Sequence, residues 1–119
     1  MSRLRIGIVA AVLVIFFAVG GYVIFNNKSS GPKDVTFDVT VTGGASMKPS
    51  ELTVHQNDTV TINITSDMDG EVHLHGYDIP FDNIAGTVTT HTFTAVNTGD
   101  FEIEWESTST TLGDLKVSP

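Results

Sequence analysis

Two different hydrophobic patterns divide the chain. Residues 6–25, IGIVAAVLVIFFAVGGYVIF, form an uncharged and almost wholly apolar run of twenty residues. As a helix that length matches a hydrocarbon core of roughly 30 Å. From residue 34 onward no apolar period of 3.6 residues appears. Short alternating runs take over, punctuated by turn residues, which is the signature of half-buried strands. Residues 35–41 alternate cleanly, with Val35, Phe37, Val39 and Val41 on one face. Further strands are predicted at 51–55, at 59–64, from Glu71 through the histidines, and at 88–93, 101–105 and 112–117. The stretch 79–86 reads as irregular, and 43–46, 56–58, 67–70 and 97–100 read as turns or loops. Seven or eight short strands in about 85 residues predict an all-β Greek-key sandwich.

The predicted organisation is a short tail at 1–5, a transmembrane helix or signal anchor at 6–25, a polar linker at 26–33 (NNKSSGPK) and one domain at 34–119. Arg3 and Arg5 supply the basic front end that a signal peptide and an anchor both require. Ala18-Val19-Gly20 offers a small-x-small cleavage site, but the apolar run continues past it to Phe25, which favours retention as an anchor. Weighing Arg3, Arg5 and the terminal amine against Lys28 and Lys33 places the N-terminus inside. The expected location is therefore the cell membrane, single-pass, with the domain on the extracytoplasmic side.

Charge narrows the list of partners. All 14 Asp and Glu lie from Asp34 onward, against Lys48 and Lys116 alone, so that region carries a net charge of −12. Such a surface argues against nucleic acid and against lying flat on anionic lipid, and suits cations or a basic protein partner. The chain has no cysteine, which removes lipoprotein anchoring, disulfides and thiolate ligands together.

The chemistry-bearing residues concentrate in Glu71-Val72-His73-Leu74-His75-Gly76-Tyr77-Asp78. Side chains two apart on a strand share a face, so His73 and His75 present two imidazoles side by side, which suits copper or zinc. With Val72 and Leu74 facing the core, parity turns this pair and Glu71 toward solvent, as an exposed clip for Cu(II) or Zn(II). Asp67, Asp69 and His91 are further candidate ligands for the same ion, and Met47 and Met68 would suit Cu(I). Two polar residues on the outer face of a strand need no such role, and the clip and the plain solvated face both stay open. His55 is expected at the exposed end of a strand, without a role. Glu102, Glu104 and Glu106 alternate with Phe101, Ile103 and Trp105 and read as a solvated face, or as a docking surface for a basic partner. Asn57-Asp58-Thr59 and Asn63-Ile64-Thr65 match the glycosylation sequon at the frequency a threonine-rich chain gives by chance. No nucleophile triad, phosphate loop or helical zinc motif is present, so an enzyme is not expected.

Taken in order, four segments resemble the cupredoxins. They are Met47-x-Pro49-Ser50-x-Leu52-x-Val54 leading into Asn57-Asp58-Thr59-Val60, the histidine strand, Gly99-Asp100-Phe101-x-Ile103, and Gly113-x-Leu115-x-Val117. The resemblance covers residues 35–119 and is strongest to the iron-transport-associated, cupredoxin-like branch, in which a His-x-His-Gly-Tyr-Asp segment recurs. His73-Leu74-His75-Gly76 also resembles the copper motif of multicopper oxidases. A blue-copper site takes two His, one Cys and a weak axial Met. Here His73 matches the first histidine, Trp105 stands at the cysteine position, and Glu106 to Thr111 contains neither His nor Met. The resemblance thus implies the fold without a type 1 blue-copper centre, and an indole in the volume the metal would take.

The resulting expectation is a membrane-anchored, extracytoplasmic, cupredoxin-like protein that binds copper or another transition metal through His73, His75 and His91. The competing expectation is a metal-free fold that docks a partner at the membrane surface. Electron transfer ranks third, because it needs ligands that this chain lacks.

Overall fold

The computed structural model describes residues 31–119, so the tail, the apolar run 6–25 and most of the linker lie outside the described residues. Among those described, no helix is long and apolar enough to cross a membrane. The described residues form nine strands: β1 (Asp34–Thr42), β2 (Ser46–Lys48), β3 (Glu51–His55), β4 (Thr59–Ser66), β5 (Gly70–Leu74), β6 (Ile79–Asn83), β7 (Val88–Thr94), β8 (Gly99–Trp105) and β9 (Thr110–Ser118). A 3-10 turn, Glu106–Thr108, joins β8 to β9.

The strands form two sheets, one ordered β3-β9-β8-β5-β6 and the other β2-β1-β4-β7. Pairing is antiparallel except where β9 runs alongside β3 and β1 alongside β4. Each sheet turns one face inward, so the period-2 alternation of the sequence becomes a two-sided core. In β1 Val35, Phe37, Val39 and Val41 are buried while Asp34, Thr36, Asp38, Thr40 and Thr42 are exposed. Val60, Ile62 and Ile64 of β4 face Val72 and Leu74 of β5, Ile103 and Trp105 of β8, and Leu115 and Val117 of β9 within one cluster.

Two strands exceed the expectation. Ser46–Lys48 pairs briefly with β1 and puts Met47 into the core. Residues 79–83, expected to be irregular, form β6, which buries Phe81 and Asn83. Pro80 masks this strand in the sequence because proline cannot donate to a ladder. It is tolerated because β6 lies at the edge of the five-stranded sheet and pairs only with β5, where Pro80 is registered against His73.

Candidate metal centre

The site is assembled by the β5–β8 pairing. These strands run antiparallel, with Val72 opposite Trp105, His73 opposite Glu104 and Leu74 opposite Ile103. Because parity is shared across a ladder, the buried pair Val72 and Leu74 forces His73 outward, and the buried pair Ile103 and Trp105 forces Glu104 outward. The outer face of the five-stranded sheet therefore carries the histidines against the glutamate stripe. The pairing continues one residue past β5, where His75 N–H donates to the Glu102 carbonyl at 2.9 Å.

The turn that follows is held at each residue. Gly76 has φ +87°, and a Cβ there would lie 2.2 Å from Phe101 Cδ1, so only glycine fits between turn and sheet. The Tyr77 hydroxyl donates to the Asn97 carbonyl at 2.6 Å and accepts from the Asn97 N–H at 3.0 Å. Its ring packs edge-on against Phe101. Asp78, at φ +56°, occupies the left-handed region that Asp tolerates better than most residues. This conformation brings its Oδ1 to 3.0 Å from His73 Nε2.

His73 Nδ1 lies 3.1 Å from Glu71 Oε2 and 3.6 Å from Glu106 Oε1. His75 Nε2 lies 2.6 Å from Glu104 Oε1. The two rings stack with centroids 4.6 Å apart and planes inclined by 25°. Two donor groups result, Glu71–His73–Glu106 and His75–Glu102–Glu104, each with its ligand atoms within 4.8 Å of one another. Thr111 Oγ1 donates to Glu102 Oε2 at 2.5 Å and fixes that carboxylate. The hydrogen bond with Glu104 raises the His75 pKa above the ordinary histidine value, with further help from the charges of Glu104, Glu102 and Glu106 and against a smaller effect of burial.

The structure brings His73 and His75 together and places His91 elsewhere. His91 lies on β7 in the other sheet, registered against Ile62 and half-buried edge-on against Phe81 at 4.8 Å, and it enters neither donor group. Asp67 and Asp69 serve loops instead: Asp67 accepts from Gly43 N–H at 2.8 Å and Asp69 from Ala85 N–H at 2.9 Å. Met47 is core, and Met68 is exposed on the β4–β5 loop. Trp105 is buried with the core, as its parity required.

The residues that sequence reasoning passed over as ligands are Glu102, Glu104 and Glu106. Their alternation was visible, but only the β5–β8 ladder, which joins strands some 30 positions apart in the sequence, sets them beside the histidines. With imidazole nitrogen and carboxylate oxygen, and no thiolate, the donor set fits a divalent ion such as Cu(II) or Zn(II) and not a blue-copper centre.

No protein-family model matches this chain, and no curated protein matches it. Solved structures do share its fold. A chain of a heme-copper terminal oxidase dimer aligns with TM-score 0.64 and 16% identity, over 81% of this chain and 78% of that one. A copper binding protein solved by NMR in its apo form aligns with TM-score 0.60 and 14% identity, over 73% of this chain and 96% of that one. The blue copper oxidase from Nitrosomonas europaea aligns with TM-score 0.52 and 17% identity, over 74% of this chain but 39% of its own length. At these identities the likeness is one of fold: this is a two-sheet, cupredoxin-like sandwich.

Proposed function

We propose that this protein is a membrane-anchored, extracytoplasmic, cupredoxin-like domain that binds copper as Cu(II), or a comparable divalent transition metal, through His73 and His75. It holds or hands over the ion and is not an enzyme. The observation that carries this reading is the pair of stacked imidazoles set among carboxylates of the adjacent strand. His73 has carboxylates at both ring nitrogens, Asp78 at Nε2 and Glu71 with Glu106 at Nδ1. Carboxylates gathered around two imidazoles in this way suit a divalent cation. Copper proteins among the structural neighbours lend support, as does the apolar run 6–25 for the anchor.

The bound ion would supply Lewis acidity and, for copper, a redox couple. The protein's part is to hold it, with imidazole nitrogen from His73 and His75 and carboxylate oxygen from Glu71, Glu102, Glu104 and Glu106. Titration of Cu(II) into the untagged chain in detergent, followed by electron paramagnetic resonance, tests this. A spectrum with nitrogen hyperfine structure and without a blue-copper absorption is expected. Replacing both residues, His73→Ala with His75→Ala, should abolish binding while far-UV circular dichroism stays unchanged. Undiminished affinity in the double variant would refute the site, and no specific binding to the unaltered chain would leave a metal-free docking module as the better reading.

A further inference from the structure

We infer that the histidine strand binds two metal ions side by side and not one ion chelated by both imidazoles. This rests on the metal-binding reading above and deepens it. A nitrogen lone pair lies in the plane of its imidazole ring. Rings that stack with planes only 25° apart and centroids 4.6 Å apart aim their lone pairs at neighbouring points, not at a common one. Each nitrogen that faces carboxylates does so with its own set. Nδ1 of His73 faces Glu71 and Glu106, and Nε2 of His75 faces Glu104, with Glu102 completing the group. No residue is shared between the two groups.

Charge favours the same count. Five carboxylates, Glu71, Asp78, Glu102, Glu104 and Glu106, surround the pair. Among the described residues no lysine forms an ion pair with any of them, because Lys116 pairs with Glu51, Asp100 and Asp114. Two divalent ions bring four positive charges to these five negative ones, whereas one ion leaves three uncompensated. The two groups differ in support. His73 is held from its far side by Asp78, and the carboxylate of Glu102 is held by Thr111. Occupancy of one group therefore does not require the other to be rebuilt.

Isothermal titration of Cu(II) into the untagged chain in detergent, with electron paramagnetic resonance at each equivalent added, decides the matter. The expected result is a stoichiometry of two, with dipolar broadening and a half-field transition that appear only as the second equivalent binds. Glu71→Gln with Glu106→Gln should lower the stoichiometry to one and remove the half-field signal. Glu102→Gln with Glu104→Gln should do the same through the other group. One ion carrying nitrogen hyperfine structure from both rings would overturn the inference and leave the metal reading standing. Two ions without magnetic coupling would overturn it as well, since the second would then lie elsewhere on the acidic surface. No binding at all would remove the metal reading and this inference with it.

Discussion

Gly70→Ala is the substitution whose cost the structure defines best. Gly70 opens β5, and a Cβ built there would stand 2.2 Å from Trp105 Cζ2 and 2.5 Å from Cη2, the benzene side of the indole. Gly44 approaches the pyrrole side of the same ring, with a Cβ position 2.7 Å from Cε2 and Nε1. Trp105 is buried and lies opposite Val72, so the indole has packed neighbours on the core side too. Relief requires the ring or strand to move by roughly an ångström, and overpacking of this kind costs about 1–3 kcal/mol. For a small domain that lowers Tm by about 4–8 °C per kcal/mol. Urea unfolding followed by the fluorescence of the single tryptophan measures it directly. The control is Trp105→Phe, which removes the atoms that collide. In that background, followed by circular dichroism, Gly70→Ala should keep only the strain that φ +159° puts on a side chain, giving a coupling energy of at least about 1 kcal/mol. Equal costs in both backgrounds would refute the steric account. The same variant probes the site, because Glu104 and Glu106 flank Trp105 and a displaced indole displaces them from the histidines; Cu(II) affinity should fall with stability.

Two further predictions concern polar groups. Asp58 is buried and accepts from the backbone N–H groups of Lys33 and His55, both at 2.9 Å. Asp58→Ala leaves those donors without partners and should cost about 1–3 kcal/mol in urea unfolding; a loss below measurement error would show that water replaces the carboxylate freely. In the metal-free protein, Glu104→Gln should return the NMR titration midpoint of His75 from its raised position toward the ordinary histidine value. A folded-state pKa above the unfolded one contributes stability that is complete below the unfolded value, about 6.5, and is lost as pH rises through the folded value. The metal-free protein should therefore weaken across that window, and Glu104→Gln should flatten the decline. An unchanged midpoint and slope would show that Glu104 does not hold the imidazolium.

Much of the fold was legible because alternation survives in nearly every strand. Val35, Phe37, Val39 and Val41, or Val60, Ile62 and Ile64, state their inward face without help from tertiary structure. Exceptions arise where an element is too short or too marginal to show a period. Ser46–Lys48 offers one inward residue, and Ile79–Asn83 carries a proline and ends on a buried asparagine. Local sequence resolves neither, since each becomes a strand only by pairing with a longer neighbour, β1 in one case and β5 in the other.

The site was half legible for the same reason. Parity along one strand is a local property, and it set His73, His75 and Glu71 on one face before any fold was known. Which strand lies alongside is not local. Glu104 meets the histidines only because β8, and not β4 or β7, is the inner neighbour of β5. The sequence neighbours of the pair, Asp67 and Asp69, are drawn off to cap Gly43 and Ala85. His91, which shares the residue type, is carried into the opposite sheet against Phe81. A ligand set drawn from two strands thus depends on strand order more than on motif. The glutamate stripe and the histidine pair are each unremarkable on a solvated strand, and become a candidate metal-binding surface only because both strands turn the same parity outward across one ladder.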